Sequence, residues 1–445
     1  MSADFLQIGA SGVKAYRAAL ATISENISNA NTDGYTRRTI MLRESAASAA
    51  TSPYIVPQAN FGGAEIAGVG RQTDAYLDAS TRMTGNLLGS ANMRLRWMGD
   101  VETAINDTSL GVGQRLAEMF GSIQKLAANP SDGSLRTNVL YSLDQVTTAF
   151  QQSAEQLAEV SSGIADQAQT EVSLLNNAIT SLANANEGLR RVLPNSSAEA
   201  QLLDARDAAL DVISSKISVN VTFKDHGVAQ VDYNGVSVVE SVTPTSFSVS
   251  RNADGTLSFA HEGTAVANPG SGSMGGLFQS AATTNQRINS LNTLANQFAN
   301  DLNGWHAQGL TDAGVAGGKL INLGAGGAAT LGVALTDIAQ LAVRSSDNTP
   351  NGNLLAINSI RGNGGVEQNW TALVAGHANL MSTTKAEQAA AETRDGQTRS
   401  ARSNVSGVDL DVEAADLLRY QQAYQAAARV IQVARETVQS ILQIF

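Results

Sequence analysis

The C-terminal stretch LLRYQQAYQAAARVIQVARETVQSILQIF (417–445) carries apolar residues at alternating spacings of three and four. A sustained 3.5-residue period is typical of helices that pack side by side. Asp409 stands where a helix cap is expected, and Asp411, Glu413 and Asp416 follow in the first turns, where the helix dipole favours negative charge. The stretch therefore predicts a long helical arm. Its apolar seam consists of Leu417, Tyr420, Tyr424, Ala427, Ile431, Ala434, Val438, Ile441 and Phe445.

The start of the chain shows the same rhythm, interrupted only at Gly9. Two matching amphipathic ends are most simply accommodated by a hairpin-shaped chain whose termini meet. Each seam is narrow, so a pair of such arms buries little apolar area. This burial is small compared with the conformational entropy that the arms lose when they fold. One hypothesis is that the arms are mobile in the monomer and become ordered against neighbouring subunits; the alternative is a coiled coil that is already folded. The N-terminal seam consists of Leu6, Val13, Tyr16, Leu20, Ile23 and Ile27.

A dense polar segment, NISNANTDGYTRR (26–38), directly follows the first arm. Its Asn and Thr side chains can bond the backbone groups freed at a helix end, and Asp33-Gly34 supplies a tight reversal. Tyr35, Arg37 and Arg38 are expected to anchor the next segment, with the arginines available to acidic neighbours. The segment is therefore predicted to be a joint between the arm and the rest of the subunit.

Between the arms the pattern is mainly helical. Helices are predicted over roughly 72–106, 112–128, 134–192 and 198–216, and again over 277–306 and 366 to about 402. Residues 217–268 instead alternate apolar and polar side chains, with hairpin turns at Asn234-Gly235 and Asp254-Gly255.

The predicted fold is therefore mainly α with a β insertion. We expect an elongated multi-domain hairpin with paired N- and C-terminal helical arms, a long-helix bundle as the middle domain and a small β-rich outer region. The predicted domains are the terminal arms at 1–40 and 405–445, the helical middle domain at 41–216 and 277–404, and the β-rich region at 217–276.

Composition restricts the possible functions. The 445 residues carry a net charge of −11 and no basic cluster, which disfavours binding to nucleic acid. The chain contains no cysteine, so disulfides and thiolate chemistry are excluded. Its first residues lack the basic and apolar regions of a cleavable signal peptide, and no apolar run is long enough to span a membrane. We expect no membrane insertion, and either retention in the cell or export that reads no cleavable signal.

Catalytic and metal-binding patterns are not apparent. The four histidines are scattered without metal-ligand spacing. The Gly-rich string NLGAGGAATLG (322–332) lacks the strand, the helix and the acidic residue of a dinucleotide site, so a flexible loop is expected. Asp204 and Asp207 share a predicted helix and are expected to form salt bridges rather than an acid–base pair. We therefore predict no enzyme, no cofactor and no metal.

Two segments at opposite ends resemble one family. NISNANTDGYTRR is similar to the N-terminal signature of the bacterial flagellar axial proteins, which comprise rod, hook and hook-associated proteins, and GVDLDVEAADLLRYQQAYQAAARVIQVARETVQSIL (407–442) resembles their C-terminal arm. The family often has Asp-Glu-Glu-Ala where this chain has DVEA (411–414). The signature positions are Asn26, Asn29, Asn31, Thr32, Gly34 and Tyr35.

Three internal segments resemble the FlgK type of hook-associated protein within this family. They are VETAINDTSLGVGQRLAEMFGSIQKLAANPSDGSLRTNVL (101–140), LLDARDAALDVISSKISVNV (202–221) and FANDLNGWHAQGLTDAGVAGGKL (298–320). The last matches an N-x-x-H-x-x-G-x-D-x-x-G pattern. Its positions here are Asn303, His306, Gly309, Asp312 and Gly314, of which Asp312 stands one place later than the pattern has it. The chain is short for this type, so an outer domain is expected to be reduced or missing.

The resemblance implies a structural role in the flagellum. Members of this type form a short ring at the hook–filament junction after type III export without a cleaved signal. The implied partners are other copies in a ring or helical assembly, the hook protein, a second junction protein or flagellin, and an export chaperone; the implied location is extracellular. The residues expected to carry assembly are Leu6, Val13, Tyr16, Leu20, Ile23, Ile27, Asn29, Asn31, Thr32, Gly34, Tyr35, Leu417, Tyr420, Tyr424, Ile431, Val438 and Ile441.

Two other functions fit parts of the sequence. A hook or distal-rod subunit would share the arms, but the long predicted helices disfavour it because those relatives are mainly β between their arms. A surface adhesin or glycan-binding protein would use the β region, which shows no aromatic platform for sugars.

Overall fold

The computed structural model describes residues 2–45, 63–240 and 242–443. Short 3-10 turns lie at Asp225–Gly227, Gly327–Thr330 and Ile338–Gln340. The helices are α1 (Ser2–Ser28), α2 (Ala75–Ala104), α3 (Val112–Ala128), α4 (Gly133–Arg191), α5 (Ser197–Lys216), α6 (Gly272–Gln308), α7 (Gly352–Ala356), α8 (Asn358–Arg361), α9 (Val366–Ser406) and α10 (Leu410–Leu442). The strands are β1 (Arg38–Glu44), β2 (Ala64–Arg71), β3 (Asn220–Phe223), β4 (Ala229–Tyr233), β5 (Val236–Glu240), β6 (Thr243–Pro244), β7 (Phe247–Arg251), β8 (Leu257–His261), β9 (Thr264–Ala265), β10 (Ile321–Asn322) and β11 (Gly332–Val333).

The prediction of a mainly α fold with a β insertion is confirmed. Helices α2 to α5 coincide within a few residues with the four predicted between the first arm and the β region. Polar side chains mark their starts as the sequence indicates: Asp132 Oδ1 accepts from the Ser134 N–H at 2.8 Å, and Ser196 Oγ from the Glu199 N–H at 3.1 Å. The expected cap at Asp409 is also present, since its Oδ1 accepts from the Asp411 N–H at 2.9 Å.

The chain divides into two compact units. The first comprises residues 1–86, 174–246 and 392–445, and the second comprises 87–173 and 247–391. The first unit contains α1, α5, α10 and strands β1 to β6, whereas the second contains α3, α6 to α8 and strands β7 to β11. In the second unit α4, α6 and α9 meet at the rings of Phe150, Phe298 and Trp370; the Phe150 ring centroid lies 5.7 Å from that of Phe298 and 6.4 Å from that of Trp370.

The predicted β segment forms two antiparallel sheets, one in each unit. Strands β3 to β6 form a sheet in that order, and β7 to β9 form the other. The Asn234-Gly235 turn has the positive φ angles of a tight hairpin, 47° and 85°. Gly255 likewise has a φ of 85° in the loop between β7 and β8.

A further antiparallel pair, β1 with β2, differs from the sequence prediction, which placed residues from 41 onward in a helical domain. The strands pair Arg38 with Arg71, and their register shifts between Met41 and Leu42. The alternation of apolar and polar side chains that marks a strand is weak in β2 because this strand contains Gly68 and Gly70. Gly68 lies against Asn195, where an added Cβ would be 2.4 Å from the Asn195 Cβ. Contact with a distant loop, rather than local pattern, therefore selects this strand.

Candidate assembly site at the base of the arms

Helices α1 and α10 pack closely together at two glycines of α1, Gly9 and Gly12. A Cβ added to Gly9 would lie 2.6 Å from Ile431 Cγ1, and one added to Gly12 would lie 3.3 Å from Ala427 Cβ. Beyond the glycines, the Tyr16 and Tyr420 rings face each other with centroids 6.2 Å apart. The interruption of the N-terminal seam at Gly9 is therefore a feature of the helix contact.

Most of the predicted seam positions are half-buried. Ile23 is buried at 5% exposure, whereas Ile27 is 38% exposed. The side chain of Ile441 lies outside the described residues. The arm pair alone therefore shields its seam only in part. The half-buried positions are Leu6, Val13, Tyr16, Leu20, Leu417, Tyr420, Tyr424, Ile431 and Val438.

The turn after α1 is organised around the Asn26 side chain, which is 1% exposed. Its Oδ1 accepts from the Arg38 N–H at 3.0 Å and from the Tyr35 hydroxyl at 2.9 Å. Its Nδ2 donates to the Arg38 carbonyl at 2.8 Å and to Glu413 Oε2 at 3.1 Å. One buried amide thus connects the end of α1, the start of β1 and the first turn of α10. Its oxygen accepts two hydrogen bonds and its NH₂ group donates two, so its hydrogen-bonding capacity is fully used.

The remaining signature residues shape the turn itself. Asn29 Nδ2 donates to the Glu25 carbonyl at 2.9 Å, which also accepts from the Asn29 backbone N–H at 3.0 Å, so the last turn of α1 is bonded twice at this carbonyl. Thr32 Oγ1 donates to Asn29 Oδ1 at 3.2 Å. Gly34 has a φ of 76°, a conformation that favours glycine. Asn31 is exposed.

Arg37 connects the turn to α10. Its Nε donates to Glu413 Oε1 at 2.6 Å and its Nη2 to Asp416 Oδ2 at 3.4 Å. The Glu413 carboxylate is 1% exposed, so this ion pair is largely removed from water. The Arg37 N–H also donates to the Ser406 carbonyl at 2.8 Å, at the end of α9. The acidic first turn of α10 therefore binds the joint as well as complementing the helix dipole.

Arg38 begins a second set of ion pairs that reaches α5. Its guanidinium pairs with Glu25 and, at 3.1 Å, with Asp204 Oδ2. Arg71 Nε then lies 2.8 Å from Asp204 Oδ1 as an ion pair, and Arg71 Nη2 donates to Asp207 Oδ2 at 2.7 Å. Arg206 pairs with Asp207 at 2.6 Å, which confirms the salt-bridge interpretation of the two aspartates. The alternating charges fix the β1–β2 pair to α5.

Tyr35 lies within this polar cluster. Burial raises the pKa of its hydroxyl to about 12, although the Arg38 guanidinium, 4.8 Å from the ring centroid, acts in the opposite direction. The phenol therefore stays protonated and donates to Asn26 throughout the physiological pH range.

Five central members of the joint are not among the expected assembly residues: Asn26, Arg37, Arg38, Arg71 and Glu413. The sequence predicts Arg37 and Arg38 only as anchors of the segment after the turn. Asn26 stands on the family signature, but sequence alone does not show that its amide is buried. Glu413 was interpreted only as a dipole-favouring acid. Arg71 follows a stretch without a periodic signal, so its pairing with α5 becomes visible only in three dimensions.

The N-x-x-H motif organises a loop in the second unit. Asn303 Oδ1 accepts from the Leu320 and Ile321 N–H groups, both at 2.8 Å. His306 is fully buried; its Nδ1 contacts the Gly318 carbonyl at 2.7 Å and its Nε2 accepts from the Ala342 N–H at 2.9 Å. Burial lowers the pKa of His306, in keeping with a neutral ring. The histidine therefore stabilises the loop instead of serving as an exposed base or ligand.

The other motif residues complete this loop. Asp312 receives two hydrogen bonds from Arg136, at 2.6 and 3.0 Å, and hydrogen bonding to this guanidinium lowers the pKa of Asp312. A Cβ on Gly309 would lie 2.2 Å from Asn353 Nδ2, and Gly314 has a φ of 76°. Each glycine is thus required by a close contact or by its backbone conformation.

The described part of the chain shows neither a metal site nor a membrane-spanning helix. Residues 2–45, 63–240 and 242–443 contain no group of three or more His, Asp or Glu placed to hold a metal ion. Among the helices of these same ranges, none combines the length and apolar character needed to cross a bilayer.

Family models match three parts of the chain. The model described as the flagellar hook-associated protein FlgK helical domain matches residues 98–321, half of the chain. The flagellar basal body rod FlgEFG protein C-terminal model matches 399–444, and the flagella basal body rod protein model matches 6–36. The terminal matches cover the arms and most of the joint.

Similar proteins carry a consistent name. Flagellar hook-associated protein 1 of Bacillus subtilis is 25% identical over 98% of this chain and 97% of its own length. The protein of the same name from Salmonella typhimurium is 26% identical over 71% of this chain but only 58% of its own length. The hook junction protein FlgK from Burkholderia pseudomallei shares the fold, with a TM-score of 0.65 at 13% identity over 73% of this chain and 100% of that one. The chain belongs to the flagellar hook-associated protein FlgK family.

Proposed function

We propose that the chain is a structural subunit of the flagellum that forms a ring between hook and filament. The observation that carries the proposal is the joint, in which Asn26, Arg37 and Glu413 bind both terminal arms to one buried polar cluster. Such a cluster fixes the orientation of both arms relative to the rest of the first unit. A subunit that must fit between two existing assemblies needs its contact surfaces presented in a defined orientation.

The outer face of α10 supplies a surface for that assembly. Leu418, Val430 and Val433 are 60%, 39% and 60% exposed. At about 100° per residue they are centred roughly 140° around the helix from the seam that faces α1. Apolar side chains on this second face gain most by packing against another subunit. We propose that neighbouring copies cover it, and that the seam and turn residues expected from the sequence contribute by holding the arm in place.

The finer features of the proposal follow the family. The partners are other copies of the chain, the hook protein, a second junction protein or flagellin, and an export chaperone before assembly. The location is the exterior of the cell, reached by type III export. The role is mechanical, and we propose no catalytic step.

The two alternatives have less support. A hook or rod subunit is disfavoured by the long helices α2 to α5. A glycan-binding role is disfavoured because Phe247 and Phe259 are 3% and 1% exposed. Phe223 is 47% exposed, but the Arg206 guanidinium lies 4.5 Å from the centroid of its ring and so occupies one of its faces.

Deletion of the gene tests the proposal. We expect intact hooks without filaments, with flagellin released into the medium, and restoration of filaments by a plasmid-borne copy. Loss of the hook itself would indicate a hook or rod subunit, and normal filaments would exclude a junction role.

A further inference from the structure

A groove of about 660 Å³ runs between α6 and α9 in the second unit. Its lining includes the side chains of Arg287, Asn289, Gln297 and Asn369, and its apolar lining includes Leu294 and Leu373. The groove thus combines hydrogen-bonding amides and one cation with a narrow apolar strip. The groove belongs to the second unit, whereas the residues of the joint belong to the first.

Arg287 is half-buried and pairs with no carboxylate among the described residues. Its single hydrogen bond runs from Nε to His377 Nδ1, at 3.4 Å. His377 in turn contacts the Met98 carbonyl through Nε2 at 2.9 Å. Burial lowers the pKa of Arg287, which reflects a cation partly removed from water without a counter-charge. Arg136 and Arg361 of the same unit each bind a carboxylate, so Arg287 differs from them.

Among the residues that line the groove, none carries a carboxylate that could pair with Arg287. The carboxylate nearest in the hydrogen-bond network is Asp254, which is bound by Thr256 at 2.6 Å and contacts Asn285 Nδ2 at 3.5 Å. A guanidinium beside amide donors is the arrangement that binds carboxylates well. The ligand that this groove fits is therefore an Asp or Glu side chain carried on an element with a small apolar surface.

Helix α4 of the same unit presents such side chains. Asp144, Glu155, Glu159 and Asp166 are all exposed and make no ion pair with any described residue. At about 100° per residue they fall within a sector of roughly 60° on the helix. This acidic face of α4, defined by these four residues, and the Arg287 groove are complementary in charge.

We propose that the Arg287 groove of one copy binds the acidic face of α4 on the next copy. The proposal rests on the ring assembly proposed above. The contact joins two different surfaces, so it is heterologous, and repetition of a heterologous contact closes a ring when the rotation permits. The helix enters the groove between α6 and α9, its carboxylates bond Arg287, and the desolvated cation gains its counter-charge.

Cysteine cross-linking tests the contact directly because the chain has no cysteine of its own. Asn289→Cys places a thiol at the exposed edge of the groove, and Ser162→Cys places one on the acidic face. In assembled flagella under mild oxidation, we expect the double variant to give disulfide-linked chains longer than dimers. Each single variant should give monomers. Absence of these multimers while filaments stay attached would overturn the contact and leave the junction role intact. A dimer from the Asn289→Cys single variant would also overturn it, since that product requires like surfaces to meet.

Charge exchange provides a second measurement. Arg287→Glu should reduce the filaments retained after shear by about tenfold. Combining it with Glu155→Arg and Glu159→Arg should restore most of them. Lys385→Glu, the same charge change at an exposed position of α9, should have no effect. Unfolding curves of the purified variants establish that each is folded. Equal retention by folded Arg287→Glu and the parent, or failure of the combined exchange to restore retention, would contradict the proposal.

Discussion

At the level of single residues, the joint depends on the Glu413 carboxylate, which is 1% exposed and accepts from both Arg37 and Asn26. Glu413→Gln removes the buried counter-charge of Arg37 while preserving shape, and Arg37 then keeps its 3.4 Å contact with Asp416 as its carboxylate partner. We expect the free energy of unfolding to fall by about 2 kcal/mol, because the variant loses a buried charge-assisted hydrogen bond and leaves the Arg37 charge only partly compensated. Urea unfolding of the purified protein measures this. Asp33→Asn removes an exposed charge from the same turn and should change stability by no more than about 0.5 kcal/mol.

Two buried histidines make the second unit sensitive to acid. Burial lowers the pKa of both His306 and His377 below the ordinary value of 6.5. Between the lowered value and 6.5 the unfolded chain binds more protons than the folded one, so stability decreases as pH falls through this window. Guanidinium unfolding between neutral pH and the lower end of this window should show the decrease. His306→Asn should flatten it, and an unchanged pH dependence would show that the ring does not titrate as described.

At the level of elements, the contact between α1 and α10 depends on the absence of a side chain at Gly9. Gly9→Ala places a Cβ 2.6 Å from Ile431 Cγ1, which outweighs the gain in helix propensity of about 1 kcal/mol. We expect weaker protection of the arm amides in hydrogen exchange. Gly121→Ala in α3, where no atom lies within 4 Å of the added Cβ, should instead stabilise its helix. If Ile431→Ala fails to suppress the effect of Gly9→Ala, the proposed steric cause is wrong.

The narrow seam also determines where the arms open. The arms carry four exposed basic residues that trypsin can reach: Lys14, Arg17, Arg419 and Arg429. Arg38, which lies within the joint, is only 3% exposed. Brief trypsin treatment of monomer should therefore cut within both arms and spare the peptide bond after Arg38. Mass spectrometry of the fragments identifies the sites. Resistance of both arms would instead favour the fully folded coiled coil.

The sequence predicted elements better than contacts, for physical reasons. Helices α2 to α5 carry long apolar periods and local caps such as Ser196, which are encoded within a few residues. The β1–β2 pair and the ion pairs of Arg71 depend on α5, far along the chain, and leave no periodic signal. Asn26 illustrates the limit, because the signature identifies the position but only the fold shows its amide to be buried between α1, β1 and α10.

At the level of the whole molecule, the units serve different parts of the proposed role. The first unit holds both arms and the joint, and the second holds the Arg287 groove and the acidic face of α4. The net charge of −11 keeps free copies soluble and opposes unspecific association. Specific contacts, apolar on the arms and ionic on the second unit, are then needed for copies to assemble.

The role proposed for the outer face of α10, assembly of copies into the junction, can be tested in cells. A deletion strain is complemented with Val430→Asp combined with Val433→Asp, and cells are scored for filaments on their hooks. The matched control is Gln421→Asp, at an exposed position outside this face. Both valines are exposed in the monomer, so the unfolding curve of the double variant should match that of the parent protein. We expect secreted, folded protein, bare hooks and flagellin in the medium for the double variant, and normal filaments for the control. Normal filaments on the double variant would show that this face does not assemble copies into the junction.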